Sequence, residues 1–132
     1  MPSLAAQTIS ITIDRPFEQA YAFAREPENF PKWAAGMSSS LHREGDIWVA
    51  DAPQGRATVR FSEPNDYGVL DHWVLLDGKP EITIPLRMIA NGDGTEVMLT
   101  LFTQPDMDEA DVARDAAMVR KDLATLKALL EG

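Results

Sequence analysis

The chain contains no cysteine, which excludes disulfides, thiolate metal ligands and a cysteine nucleophile. Long apolar runs are missing too. No segment approaches the ~18 uninterrupted apolar residues of a membrane span, so no membrane span is expected. The opening MPSLAAQT has neither a basic stretch nor an apolar core, so no secretory signal is expected either. With cysteine also absent, a cytoplasmic location is the simplest expectation. Basic residues are scarce: 12 Lys and Arg stand against 21 Asp and Glu, for a formal net charge of -9. Such a surface repels phosphate backbones and anionic lipid heads, and the cations are scattered, so no nucleic-acid partner is expected. The only histidines, His42 and His72, lack metal-ligand spacing, so no metal site is expected. There is no GxSxG, P-loop or GxGxxG pattern, and the glycine-rich stretch at 91–94 reads as a hairpin turn.

At 132 residues, 45% of them hydrophobic, the chain is expected to form one domain spanning residues 1–132. A domain of this size buries roughly two thirds of its unfolded surface. The strongest pattern lies at the end. Between Asp106 and Gly132, apolar side chains at Val112, Ala116, Val119, Leu123, Leu126 and Leu130 form one stripe along a long helix. Asp106 and Glu109, just after Pro105, can supply its capping box. At the other end, Ile9, Ile11 and Ile13 alternate with Ser10 and Thr12 in a half-buried strand. Pro16 suits the start of a short helix that ends at Glu26-Pro27, and Pro27 opens a second short helix through Phe30. Gly36 and Ser38, Ser39 and Ser40 mark its exit.

Strands are expected at Leu41 and 47–50, 56–61, 67–76, 82–89 and 96–102. They are separated by turns at Glu44-Gly45-Asp46, Pro64-Asn65-Asp66, Asp77-Gly78 and 91–94. Such short connections imply an antiparallel meander. The last turn allows a register that places Ile89 near Glu96 and Met88 near Val97. Ile82, Ile84, Leu86, Met88, Val97, Leu99 and Leu101 then share one face, which should meet the long helix. Thr83, Pro85, Arg87, Glu96, Met98, Thr100 and Phe102 occupy the other, where Arg87 would pair with Glu96 or with a partner chain. Earlier in the meander, Ala57, Val59 and Phe61 oppose Arg56, Thr58 and Arg60. With Asp71 on the face of those arginines, His72 points inward with Leu70 and Val74. Val69, Trp73 and Leu75 then point outward, an apolar set that would suit a homodimer contact.

The residues ISITIDRPFEQAYAFAREPENFPKW at 9–33 and DVARDAAMVRKDLATLKALLEG at 111–132 bracket this meander. In that order the chain resembles the START-like (SRPBCC) superfamily, which includes the birch-pollen allergen and small bacterial polyketide cyclase/dehydrase-like proteins. The resemblance covers nearly the whole chain. It implies an α+β helix-grip fold: a curved antiparallel sheet of six or seven strands, two short helices, and a long C-terminal helix packed across the sheet. It also implies a cavity between sheet and helix. It carries over no catalytic motif.

Three functions fit these observations. One is binding of a small hydrophobic or aromatic molecule in the cavity. A second is a polyketide cyclase/dehydrase-like enzyme that needs no cofactor and uses cavity acid/base residues. The third is a protein-interaction module with a filled cavity. His72 is the candidate catalytic residue, because an imidazole in an apolar cavity can act as acid or base near neutrality; a histidine satisfied within the core is the alternative. Trp33, Trp48 and Phe61 can line a pocket for a flat apolar ligand, with Tyr21 offering a hydroxyl and Met88 and Met118 soft walls. All of these also read as ordinary core. Asp108, Glu109 and Asp111 stand where negative charge favours a helix N-terminus.

Overall fold

The computed structural model describes residues 2–34, 41–52 and 55–132. Strand β1 (Ala6–Ile13) leads into helix α1 (Phe17–Ala24), a 3-10 turn (Pro27–Asn29) and helix α2 (Phe30–Trp33). Seven strands follow: β2 (His42–Glu44), β3 (Ile47–Ala52), β4 (Gly55–Phe61), β5 (His72–Leu76), β6 (Ile82–Ile84), β7 (Leu86–Asn91) and β8 (Gly94–Phe102). Helix α3 (Glu109–Glu131) closes the chain. The expected exit at Gly36 and Ser38 to Ser40 lies outside the described residues.

Every strand pairing is antiparallel. The strands form a three-stranded sheet, β1-β8-β7, and a five-stranded sheet, β2-β3-β4-β5-β6. Among the described residues eight strands therefore stand where six or seven were expected, and the difference has a local cause. The run 82–89 is cut at Pro85, which has no N–H to donate to a ladder. On one side of the cut β6 pairs with β5, and on the other β7 pairs with β8. The Pro85 carbonyl still accepts from Thr100 N at 3.0 Å, so the chain turns from one sheet into the other without an abrupt break.

A second expected strand also starts late. The run 67–76 becomes regular only at His72, and Tyr67 is 80% exposed. The cause is Asn65, whose Oδ1 accepts from Tyr67 N (3.0 Å) and Val69 N (3.1 Å) while its Nδ2 donates to Val69 O (2.9 Å). This side-chain turn replaces ladder bonds. Gly68 then adopts φ +73°, and a Cβ there would strike the Met88 carbonyl. Gly68 to Leu70 instead lie beside β7, with Leu70 N bonded to Leu86 O and Met88 N to Gly68 O.

That detour relocates Asp71. Rather than facing Arg56 and Arg60, it accepts from Arg87 Nε (3.1 Å) and Nη2 (2.8 Å) and from Leu86 N (2.9 Å). Arg87 therefore pairs with Asp71 and not with Glu96, whose carboxylate takes Thr12 Oγ1 at 2.6 Å. Arg56 meets Glu44, and Arg60 reaches Glu81 at 3.5 Å while lying over the Trp73 ring at 4.2 Å. His72 does point inward and is buried, whereas Leu75 is exposed and Val69 and Trp73 are half-buried.

The β7–β8 register is the expected one, with Met88 opposite Val97 and Ile89 opposite Glu96. Leu86, Met88, Val97 and Leu99 are buried, together with Ala116, Val119, Leu123, Leu126 and Leu130 of α3. Burying side chains of this size stabilises by roughly 1.5–3 kcal/mol each. The cap of α3 lies two residues beyond its expected position. Asp108 Oδ1 accepts from Asp111 N (2.8 Å), and Asp111 Oδ2 accepts from Asp108 N (3.1 Å). Pro105 and Asp106 are already the centre of a turn closed by Met107 N on Gln104 O at 3.0 Å. The far end of α3 is tied to β1: Lys127 Nζ donates to Thr12 O, and Glu131 Oε2 accepts from Asp14 N at 2.7 Å. The helix is thus fastened at its C-terminal end, which leaves its first turns as the place where a space can open.

Candidate functional site

Two regions between helix and sheet have site-like character, and they are separate. The first is an aromatic cluster around Phe30. Its ring lies 5.1 Å from Trp33, 5.4 Å from Phe61 and 5.1 Å from His72, all edge-on. Trp48 extends the group at 6.3 Å from Phe61. Edge-to-face contacts at these distances are favourable aromatic geometry. They arise because the 3-10 turn opened by Pro27 and helix α2, with Pro31 in its first turn, bring Phe30 and Trp33 onto the ends of β4 and β5.

His72 is sealed in this cluster, 1% exposed. Its Nδ1 lies 3.2 Å from Leu70 O, and a carbonyl can only accept, so Nδ1 carries the proton and Nε2 is a bare lone pair. Burial pushes its pKa down to about 4, against the opposing pull of the Leu70 carbonyl and the Asp71 charge. Among the described residues, neither Nε2 nor Trp33 Nε1 has a hydrogen-bond partner. Desolvation pushes the neighbouring Asp71 carboxyl up, but Arg87 and the Leu86 N–H outweigh it and hold the group below its ordinary value.

The second region is a cavity of about 160 Å³ beneath the first turns of α3. Its sheet side is Val74, Ile82, Ile84, Leu101 and Phe102; its helix side is Met118 and Val119, with Met107 closing one end. Thr83, Thr100, Gln104 and Asp115 supply the polar rim. The cavity continues into a groove of about 480 Å³, sharing Ile82, Gln104, Met107 and Asp115 with it. The groove is more polar and includes Lys79, Asp106, Asp111 and Arg114.

The sequence-derived candidates are thus dispersed. Met118 lines the cavity. Trp33, Phe61 and His72 make up the aromatic cluster, and Met88 is wholly enclosed in the core. Trp48 and Phe61 also border a separate open groove of about 650 Å³ near the outer surface, with Arg60 and Trp73. Tyr21, stacked on Phe17 at 5.8 Å, accepts from Asn65 N at 2.8 Å, so its hydroxyl holds the 65–69 loop.

No family model matches the chain, and no curated protein matches it. Solved structures do. The protein XoxI from Bacillus cereus shares 16% identity with a TM-score of 0.76, over 96% of each chain. A START superfamily protein from Mycobacterium smegmatis shares 13% identity with a TM-score of 0.65, over 96% of this chain and 97% of that one. The fold is START-like. DynU16, a protein from the dynemicin biosynthetic locus, shares 15% identity with a TM-score of 0.69 over 96% of this chain, which spans 47% of DynU16. At such identities the likeness establishes the fold and does not extend to activity.

Within this START-like frame, sequence reasoning overlooked Val74, Ile82, Leu101, Phe102, Met107 and Asp115 as cavity lining. One signal was available. Asp115 lies three residues after Val112 and four before Val119, at the margin of the apolar stripe, where a carboxylate is out of place on packing grounds alone. Among the described residues, no helix is long and apolar enough to cross a membrane, and no group of three His, Cys, Asp or Glu is placed to hold a metal ion.

Proposed function

We propose that this protein binds a small apolar or aromatic molecule in the cavity between the sheet and the first turns of α3. The observation that carries the reading is the cavity itself: about 160 Å³, walled by aliphatic and thioether side chains and Phe102, with a polar rim on the open side. An apolar cavity of about 150 Å³ is large enough to hold benzene, so the inner space suits one ring or a compact alkyl group. The adjoining groove has room for a substituent. The START-like fold supports the same reading, because the resemblance implies a cavity between helix and sheet.

The polyketide cyclase/dehydrase-like reading draws support from DynU16's biosynthetic locus. It requires an acid or base at the ligand, and His72 lies apart from the cavity lining, enclosed by Phe30 and Phe61. The interaction-module reading requires a filled interior, which a void of this size does not favour. Binding is therefore the reading we adopt.

Calorimetric titration with toluene tests it, using the wild-type protein and Met118→Trp, whose indole occupies the space. The wild type should bind saturably with a Kd on the order of 0.1–1 mM, and a folded Met118→Trp should not. Equal binding by both proteins, or none by the wild type, would overturn the proposal.

A further inference from the structure

The charged side chains around the mouth of the cavity are paired among themselves, with one exception. Lys79 Nζ reaches Asp106 Oδ2 at 3.3 Å, and Arg114 Nη2 reaches Asp111 Oδ1 at 2.5 Å. The Asp115 side chain has no hydrogen bond or ion pair among the described residues. Among the described residues it is the one charged residue in the cavity lining, and it also borders the groove, so it stands where the two spaces join.

An unpaired carboxylate on an apolar wall is costly, because partial burial removes water that would solvate it. Burial is the main influence on this group and pushes its pKa up, against the pull of Arg114 and with the repulsion of Asp111. Nothing in the packing of α3 needs the charge. The stripe is complete without it, and the cap is made by Asp108 and Asp111.

We infer that the ligand of this cavity is an apolar amine, with a ring-sized body seated under α3 and a protonated nitrogen against Asp115. This rests on the binding reading above and adds the chemical class of the ligand. A cation compensates the unpaired charge, whereas a carboxylate or phosphate ligand would be repelled by it. The net charge of -9 draws cations toward the whole molecule. The remaining cations at the groove, Lys79 and Arg114, are engaged by Asp106 and Asp111 and so offer little to an anionic ligand.

The test uses three probes with the same ring: 2-phenylethylamine, 2-phenylethanol and 3-phenylpropanoate. They are titrated into the full chain, Asp115→Asn and Asp106→Asn. The two variants remove the same charge, but only Asp115 belongs to the lining of the cavity itself. In the wild type the amine should bind about tenfold more tightly than the alcohol, the typical effect of one charge-assisted hydrogen bond, and the propanoate most weakly. Asp115→Asn should abolish that preference while leaving the alcohol unchanged, and Asp106→Asn should retain it. If the alcohol binds as well as the amine, or if both variants lose the preference equally, the inference is overturned and the cavity reading stands. If no probe binds to any protein, the cavity reading falls, and this inference with it.

Discussion

Burial holds the His72 imidazole at a pKa of about 4, and this links the stability of the fold to pH. In the unfolded chain the group returns to its ordinary value of 6.5. Between the two values the unfolded state binds the extra proton, so stability rises with pH across that window. The contribution is fully present above 6.5 and is lost as pH falls toward 4. A shift of this size corresponds to about 3 kcal/mol at most. Urea denaturation at pH 7 and at pH 4.5 should therefore show a loss in the wild type that is smaller by about 2–3 kcal/mol in His72→Phe. Equal losses in the two proteins would mean that the imidazole is hydrated in the folded state. The shifted carboxyls, raised at Asp115 and lowered at Asp71, Asp111 and Glu131, are common to both proteins, so the difference between the two losses isolates the histidine. A histidine this hard to protonate suits a packed core better than proton transfer near neutrality.

At the scale of elements, helix α3 shows what a pattern can and cannot disclose. Its buried stripe follows from the spacing of Val112 to Leu130, because 3.6-residue periodicity is a local property. Its start does not, because two acidic pairs could each make a box and the choice depends on the turn before them. Asp108→Ala should cost about 1 kcal/mol, whereas Asp106→Ala, which loses only an exposed pair with Lys79, should cost under about 0.5 kcal/mol. Thermal denaturation of the two variants separates the alternatives, and a larger loss in Asp106→Ala would contradict the cap described here. The break at Pro85 and the late start of β5 have the same kind of origin. Each turns on one residue, Pro85 or Asn65, whose competing bonds override a run of strand-forming neighbours. The inward direction of His72 agrees with the expectation, although its premise, Asp71 facing Arg56 and Arg60, does not hold. The partners of Asp71 and Arg87 were not, because the detour brought together residues from separate strands.

Across the whole molecule, the fold rests on a helix anchored at one end. The C-terminal turns of α3 are fastened to β1 through Lys127 and Glu131, and the core of Ile13, Met88, Val97, Leu123 and Leu126 is closed. Under the first turns, between Met118 and the strands of both sheets, the packing opens into the cavity. Aromatic residues guided the sequence-based choice of site, and Trp33, Trp48, Phe61 and His72 do gather with Phe30, but as packed structure. The space lies instead among aliphatic and methionine side chains and Phe102, whose pattern in sequence matches that of any core. A void is a property of how elements diverge; of the residues chosen from the sequence only Met118 lines it, and Asp115 was passed over. The most direct test is to record intermolecular nuclear Overhauser effects between bound toluene and protein carrying labelled methionine and leucine methyls. The account predicts contacts to Met107, Met118 and Leu101. Contacts confined to the rings of Trp48 and Trp73 at the outer groove would place the ligand elsewhere and contradict it.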